Sequence, residues 1–427
     1  MGMNKSKKIW VGIALVNLCV VALLGFVLRS KILFSIPFID FKYLLHAHSH
    51  YAFGGWVSLV LLVLMTYEIL PRSVNKYNRY KWLLLCILVF AIGMLLSFPF
   101  QGYGLFSILF SILFIFTTYA YSYLFIKHLI YTKNSRTVKL LSISALVSLV
   151  LSSVGPFVLA YLFASKSNNV FLYRDSIYTY LHLQYNGFFT LAIMALFFNR
   201  LEHRIPIAKE KMLYQFAIVL VLTVIPSMFL SYLWHYPNTW FRIIAVAGSL
   251  LLLLCCIYFI STLKTITAPL KEMNKTVLAI GSISFGAFVL KMLMQSLTIF
   301  TEIGNLVFAN RPMIIGFLHL VLLGFVSLYL IAHFLQAGYL RQNKTSEMAV
   351  NVFASAVVLN EVILMMQGLG VMLMTNSSIY SWMLWVTGAG LFVGSVMLVF
   401  SFYNNRHNNE SGNKRHTQII TFQMKKI

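Results

Sequence analysis

The sequence predicts an all-α fold, a polytopic membrane helix bundle of about twelve transmembrane helices with both termini on the cytoplasmic side. Three observations predict it. The 427 residues are 60% hydrophobic and 10% charged, a composition whose surface suits lipid and not water. Apolar runs near the ~20 residues that cross ~30 Å of hydrocarbon recur along the chain, and helices satisfy their own backbone polar groups in lipid. The 33 Lys and Arg residues fall in alternate loops, 25 on the side that holds both termini and seven on the other, with Lys291 inside a span. That asymmetry marks the 25-residue side as cytoplasmic.

The spans are expected at 9–28, 46–70, 82–100, 104–126, 140–163, 177–198, 212–233, 240–262, 277–300, 313–336, 348–375 and 380–403. Basic loops at 72–81, 127–139, 199–211, 263–275 and 341–347 follow the even-numbered spans as far as the tenth. The first span follows a basic start, and Arg29-Ser30-Lys31 stands where a signal peptide would need small residues for cleavage, so it reads as a retained helix. Residues 1–403 form one transmembrane domain, and the polar segment 404–427 reads as a cytoplasmic tail. No linker and no repeat of 20 to 50 residues divides the chain. Trp82 and Tyr380 near span ends are interface anchors.

The net charge of +23 is thus explained by topology and contact with membrane lipid, and nucleic acid is not an expected partner. Cys19, Cys86, Cys255 and Cys256 lie in apolar segments without C-x-x-C or C-x-x-C-H spacing. Disulfides, zinc and covalently attached haem are therefore unsupported, and the four read as buried small hydrophobes.

Topology gives each of the eleven histidines a depth. His128, His203, His407 and His416 belong to the cytoplasmic side and His333 to the inner end of the tenth span, whereas His46, His48, His50, His182, His235 and His319 gather toward the outer ends of spans two, six, seven and ten. Ionisable groups inside a membrane usually face a bundle interior, and neutral imidazole ligates haem iron and copper. On a helix His46 and His50 share a face and His48 points away from it, so all three cannot serve one iron.

The run Leu45-His46-Ala47-His48-Ser49-His50, with Phe53-Gly54-Gly55-Trp56 and Leu70-Pro71 after it, resembles the second helix of haem-copper oxidase and nitric oxide reductase large subunits. That helix supplies an axial histidine to the low-spin haem. His182-Leu183-Gln184-Tyr185-Asn186-Gly187-Phe188-Phe189 resembles the sixth helix of nitric oxide reductases, Trp234-His235-Tyr236-Pro237 with Trp240 the seventh, and Phe317-Leu318-His319 with Gly324 the tenth. The resemblance covers roughly residues 44–336. It implies haem b held by His319 and by one of His46, His48 and His50. Counting back from Pro71 favours His50, and counting to the glycine pair favours His48. It also implies copper or non-haem iron at a reduced second site near His182 and His235.

The departures are specific. Phe317 stands where the high-spin haem ligand belongs, Trp234 replaces the first of two paired histidines, and Asn186 and Thr190 replace the reductase-type glutamates. What the resemblance implies is therefore a redox protein with one bis-histidine haem and an altered second site. If it is an enzyme, it is an oxidoreductase of that type, in the cell's inner (plasma) membrane, and its electron donor is a quinol or a separate protein. A second function class stays open, a multi-pass transporter or metal- and haem-handling protein. Lys291 and Gln295 in the ninth span and Asn360, Glu361 and Gln367 in the eleventh need partners, and a Lys291 to Glu361 pair is expected, as a structural clasp or as part of a proton or ligand path.

Overall fold

Each predicted apolar run becomes a helix in the computed structural model, which describes residues 5–201, 207–235, 238–267, 270, 272–375 and 377–424. Among these there are no strands and 12 helices long and apolar enough to cross a membrane. They are α1 (Ser6–Leu33), α2 (Phe41–Ile69), α3 (Asn78–Gln101), α4 (Leu105–Leu129), α5 (Arg136–Ala164), α6 (Val170–Leu201), α7 (Lys209–His235), α8 (Thr239–Thr265), α9 (Lys275–Leu297), α10 (Arg311–Gln336), α11 (Lys344–Met372) and α12 (Ile379–Asn404). His203, Tyr236, Pro237 and the side chains of His407 and His416 lie outside the described residues.

Local chemistry sets the departures from the expected spans. α5 breaks between Ser152 and Val154, because Pro156 lacks an N–H and its ring crowds the carbonyl four residues back. A short helix at Thr301–Ala309 occupies the connection before α10. The expected tail begins as a continuation of α12, helical through Met424. Cys255 and Cys256 are buried as expected, whereas Cys19 and Cys86 are partly exposed.

Outer helices turn apolar side chains outward, as at Leu250 and Ile257 of α8, which are 61% and 62% exposed. Lipid is the medium that such a surface fits. Neighbours in sequence pack together around the rim, and α1 against α12 closes the ring. Lys8 reaches over the ring of Phe402, which puts the start of α1 and the end of α12 at one end of the bundle.

Every fourth helix is central. In α2 and α6, 94% of the most apolar window is buried, against 56% in α10 and no more than 50% in any other. Among the described residues these three alone contain π-helical stretches, at Ala52–Ser58, Met65–Ile69, Leu183–Phe189 and Leu320–Ser327. A widened turn frees a carbonyl from its usual i→i+4 bond, and in lipid that carbonyl needs another donor. Asn17 Nδ2 donates to Gly55 O at 2.6 Å, Thr190 Oγ1 to Tyr185 O at 2.6 Å and Ser327 Oγ to Leu322 O at 2.7 Å. Trp56 Nε1 of α2 donates in turn to Ser327 Oγ at 3.0 Å, tying two widened helices together.

Close helix contact also depends on absent side chains. A Cβ on Gly248 of α8 would stand 2.5 Å from the carbonyl carbon and oxygen of Pro226 in α7, whereas one on Gly281 of α9 would meet nothing within 4 Å. Gly248→Ala should therefore cost about 1–3 kcal/mol through overpacking. Gly281→Ala should be neutral or gain up to about 1 kcal/mol from helix propensity. Thermal unfolding of the two variants in detergent checks this, and equal melting temperatures would count against backbone contact as the cause.

Candidate cofactor site and the buried polar centres

The histidines of α2 divide by face, as helix geometry requires. His48 turns toward α1, where its Nδ1 donates to Val21 O at 3.1 Å. Gly25 makes room for the ring, since a Cβ there would stand 3.2 Å from His48 Cε1. His319 of α10 donates from Nδ1 to Ile315 O at 2.8 Å. The two imidazoles lie within electrostatic reach of one another, and Arg29 of α1 lies within reach of both. A carbonyl accepts only, so each ring carries its proton on Nδ1 and presents an unprotonated Nε2. Metal-ligating histidines are commonly fixed in this way, with the second nitrogen anchored on a backbone carbonyl. The Arg29 guanidinium has no hydrogen bond or ion pair among the described residues. The donor chemistry, two unprotonated imidazole nitrogens beside a cation, suits a metal centre that carries anionic groups.

His46 and His50 face the junction of α3 and α4 instead. The ring of His50 stacks on Phe98, with centroids 4.4 Å apart, and its Nε2 is hydrogen-bonded to the Tyr103 hydroxyl at 3.1 Å. His46 lies edge-on to Tyr103 with its Nε2 buried and unpartnered. Neither is placed with His319.

His182 sits fully buried in a different centre. Its Nε2 donates to Val224 O at 2.8 Å, and its Nδ1 accepts from Asn186 Nδ2 at 3.2 Å and Gln295 Nε2 at 3.3 Å. Asn186 Nδ2 also donates to Gln295 Oε1 at 2.8 Å, while Asn186 Oδ1 accepts from Lys291 Nζ at 2.6 Å. Lys291 donates further to Thr190 Oγ1 at 3.0 Å. His235 lies at the end of α7, paired with Asp175 at 2.9 Å. The same carboxylate accepts from Trp234 Nε1 at 2.8 Å, and the Arg174 guanidinium lies 4.2 Å from the Trp234 ring centroid.

The expected joint metal site of His182 and His235 therefore does not form. Each imidazole is committed to other partners, and among the described residues no three His, Cys, Asp or Glu side chains come together to hold a metal ion. The expected Lys291 to Glu361 pair does not form either. Lys291 is held by α6, whereas Glu361 of α11 accepts from its neighbour Asn360 at 3.1 Å. Similar depth placed both charges in one layer, but the packing of α11 on α10 and α12 keeps them on different helix contacts.

The opposite end of the bundle holds a cluster that sequence reading missed. Glu68 of α2 pairs with Lys7 at 2.7 Å and with His333 of α10 at 3.0 Å, and accepts from the Tyr339 hydroxyl at 3.1 Å. A cavity of about 340 Å³ adjoins it, lined by Lys7, Glu68, Asn199, Arg200, Leu201 and Gln336. The central helices α2 and α10 thus meet through Trp56 and Ser327 within the bundle and through Glu68 and His333 toward this end. A sequence signal for the central helices exists as well. Glycine follows histidine by five residues in each, at His50 and Gly55, His182 and Gly187, and His319 and Gly324, and each of these glycines lies within a π-helical stretch.

No family model and no curated protein matches the sequence.

Removing the Glu68 carboxylate strands three buried or half-buried donors. Glu68→Ala should destabilise the protein by about 3–5 kcal/mol, the scale for breaking a buried ion pair. Lys7→Ala should cost a smaller part of that, since Lys7 is 17% exposed. Denaturant unfolding in detergent measures both, and an equal loss in the two variants would mean that His333 and Tyr339 contribute nothing.

Proposed function

We propose that this chain is a membrane-integral redox protein resembling the large subunits of haem-copper oxidases and nitric oxide reductases, and that it holds one haem b between His48 and His319. One observation carries the reading. Imidazoles from two central helices lie within electrostatic reach of each other, each with Nδ1 anchored on a backbone carbonyl and Nε2 free, beside an arginine that lacks an acidic partner among the described residues. The haem, when bound, supplies a one-electron couple. His48 and His319 would ligate its iron, and the carbonyls of Val21 and Ile315 would set their basicity and orientation. Arg29 would face the propionates and favour the reduced state by its charge. His48 and His319 are themselves half-buried, at the contacts of α2 and α10 with their neighbours. The electron donor in this reading is a quinol or a separate protein. The location is the plasma membrane, with both termini cytoplasmic, as the loop charges favour. The transporter reading is less well supported, because its gate required Lys291 and Glu361 to face each other.

Two measurements test this. Protein from haem-replete cells should show a b-type band in its reduced-minus-oxidised spectrum. The band should be lost in His48→Ala and His319→Ala and kept in His50→Ala, and a colourless wild type rules the reading out. Arg29→Gln should keep the band and lower the midpoint potential by roughly 40–90 mV, the equivalent of about 1–2 kcal/mol for one electron. Separately, a green fluorescent protein fused to the C-terminus should fluoresce and an alkaline phosphatase fusion should stay inactive. The reverse pattern would invert the topology.

A further inference from the structure

A lysine in the middle of a membrane bundle is costly unless its ammonium is well solvated by protein. Lys291 is fully buried. Its ammonium meets two oxygens, Asn186 Oδ1 at 2.6 Å and Thr190 Oγ1 at 3.0 Å. The centroids of Phe288, Phe325 and Tyr185 lie 5.6, 5.8 and 6.0 Å from Nζ. Rings at that range attract a cation through their negative faces. Two dipolar oxygens and three aromatic faces, from α6, α9 and α10, make a cage for a monovalent ammonium. Among the described residues no carboxylate takes part.

The same cage sets the state of His182. Lys291 draws Asn186 Oδ1 toward itself, which turns Asn186 Nδ2 onto His182 Nδ1 and Gln295 Oε1. His182 Nδ1 is then an acceptor, and Nε2 must carry the proton that it donates to Val224 O. Neither nitrogen is left to ligate a metal. Beside the cage, Phe317 packs edge-on against Tyr185, with centroids 5.7 Å apart, so apolar contact fills the neighbouring position as well. A metal ion here would also face the ammonium across a low-dielectric interior, where like charges repel strongly.

We infer that the centre around Asn186 is a cation site filled by the chain's own Lys291 ammonium, which takes the place of the second metal ion beside His182. The cage stands on its own distances and rests on the haem reading only for the statement of what it replaces. Its ligand class is a primary alkylammonium. A metal would enter only after both His182 and Lys291 had given up their present bonds.

Two experiments test the inference. Wild-type protein, as purified and after incubation with copper, zinc or ferrous salts and desalting, should hold only substoichiometric metal beyond any haem iron. One equivalent of metal that disappears in His182→Ala would overturn the inference even if the haem band is intact. In the second, Lys291→Ala removes the side chain beyond Cβ, and n-propylammonium supplies the missing atoms. The variant should unfold at a lower temperature than wild type, and n-propylammonium should restore most of the lost Tm while n-propanol of the same shape should not. If the variant assembles poorly, n-propylammonium in the growth medium should restore its yield by the same criterion. Equal rescue by the alcohol would make the site a packing cavity and defeat the proposal. Amine-specific rescue in a colourless protein would sustain it while the haem reading fails.

Discussion

Backbone carbonyls freed by widened turns must find donors inside a bundle that offers no water. α2, α6 and α10 each carry such turns, and in each a side chain supplies the missing hydrogen bond. That constraint explains why Asn17, Thr190 and Ser327, three polar residues, lie buried in apolar helices. It also links local geometry to packing, because the donors reach other partners. Thr190 accepts from Lys291 and Ser327 from Trp56. Tyr51 donates to Asn17 Oδ1, so the cap on α2 is itself held by α2. The widened turns are therefore joined to the helix contacts that surround them.

The polar centres follow from this arrangement. A helix lengthened by one residue within a turn shifts the phase of the residues beyond it, so the two ends of α2 and of α10 present different faces to their neighbours. Near one end of this pair His48 and His319 lie within electrostatic reach of one another, and at the other Glu68 and His333 form an ion pair. α6 contributes the third centre through His182, Asn186 and Thr190, with Lys291 of α9 as its cation. Each centre satisfies most of its own polar groups, which is the condition for keeping such groups in a low-dielectric interior. The exceptions are informative. The spare nitrogens of His48 and His319 and the Arg29 guanidinium, which has no hydrogen bond or ion pair among the described residues, fall in one region.

The departures from the oxidase and reductase pattern gain physical content from the packing. Phe317 rests on Tyr185 and Trp234 donates to Asp175. Asn186 and Thr190 supply the oxygens that hold Lys291. Each residue that replaces an expected ligand is engaged in a contact of its own. Asn186 and Thr190 belong to the network around Lys291, whereas Trp234 belongs to a separate one around Asp175.

Hydropathy and loop charge read from the sequence were enough to set the number and order of the helices, because the thickness of hydrocarbon and the cost of exposing backbone leave few alternatives. The i, i+2 and i+4 spacing of His46, His48 and His50 likewise required two opposed faces. The regular interval from histidine to glycine in α2, α6 and α10 was legible as well, although its link to widened turns was not. Tertiary structure alone decided which face turned toward α1, since the choice depends on Val21 and Gly25 of a different helix. It alone separated His182 from His235 and gave Lys291 to Asn186 and Thr190 in place of Glu361. Depth along the membrane normal is a one-dimensional quantity that a sequence carries; the lateral position of a helix among its neighbours is not, and hydrogen-bond partners are chosen laterally.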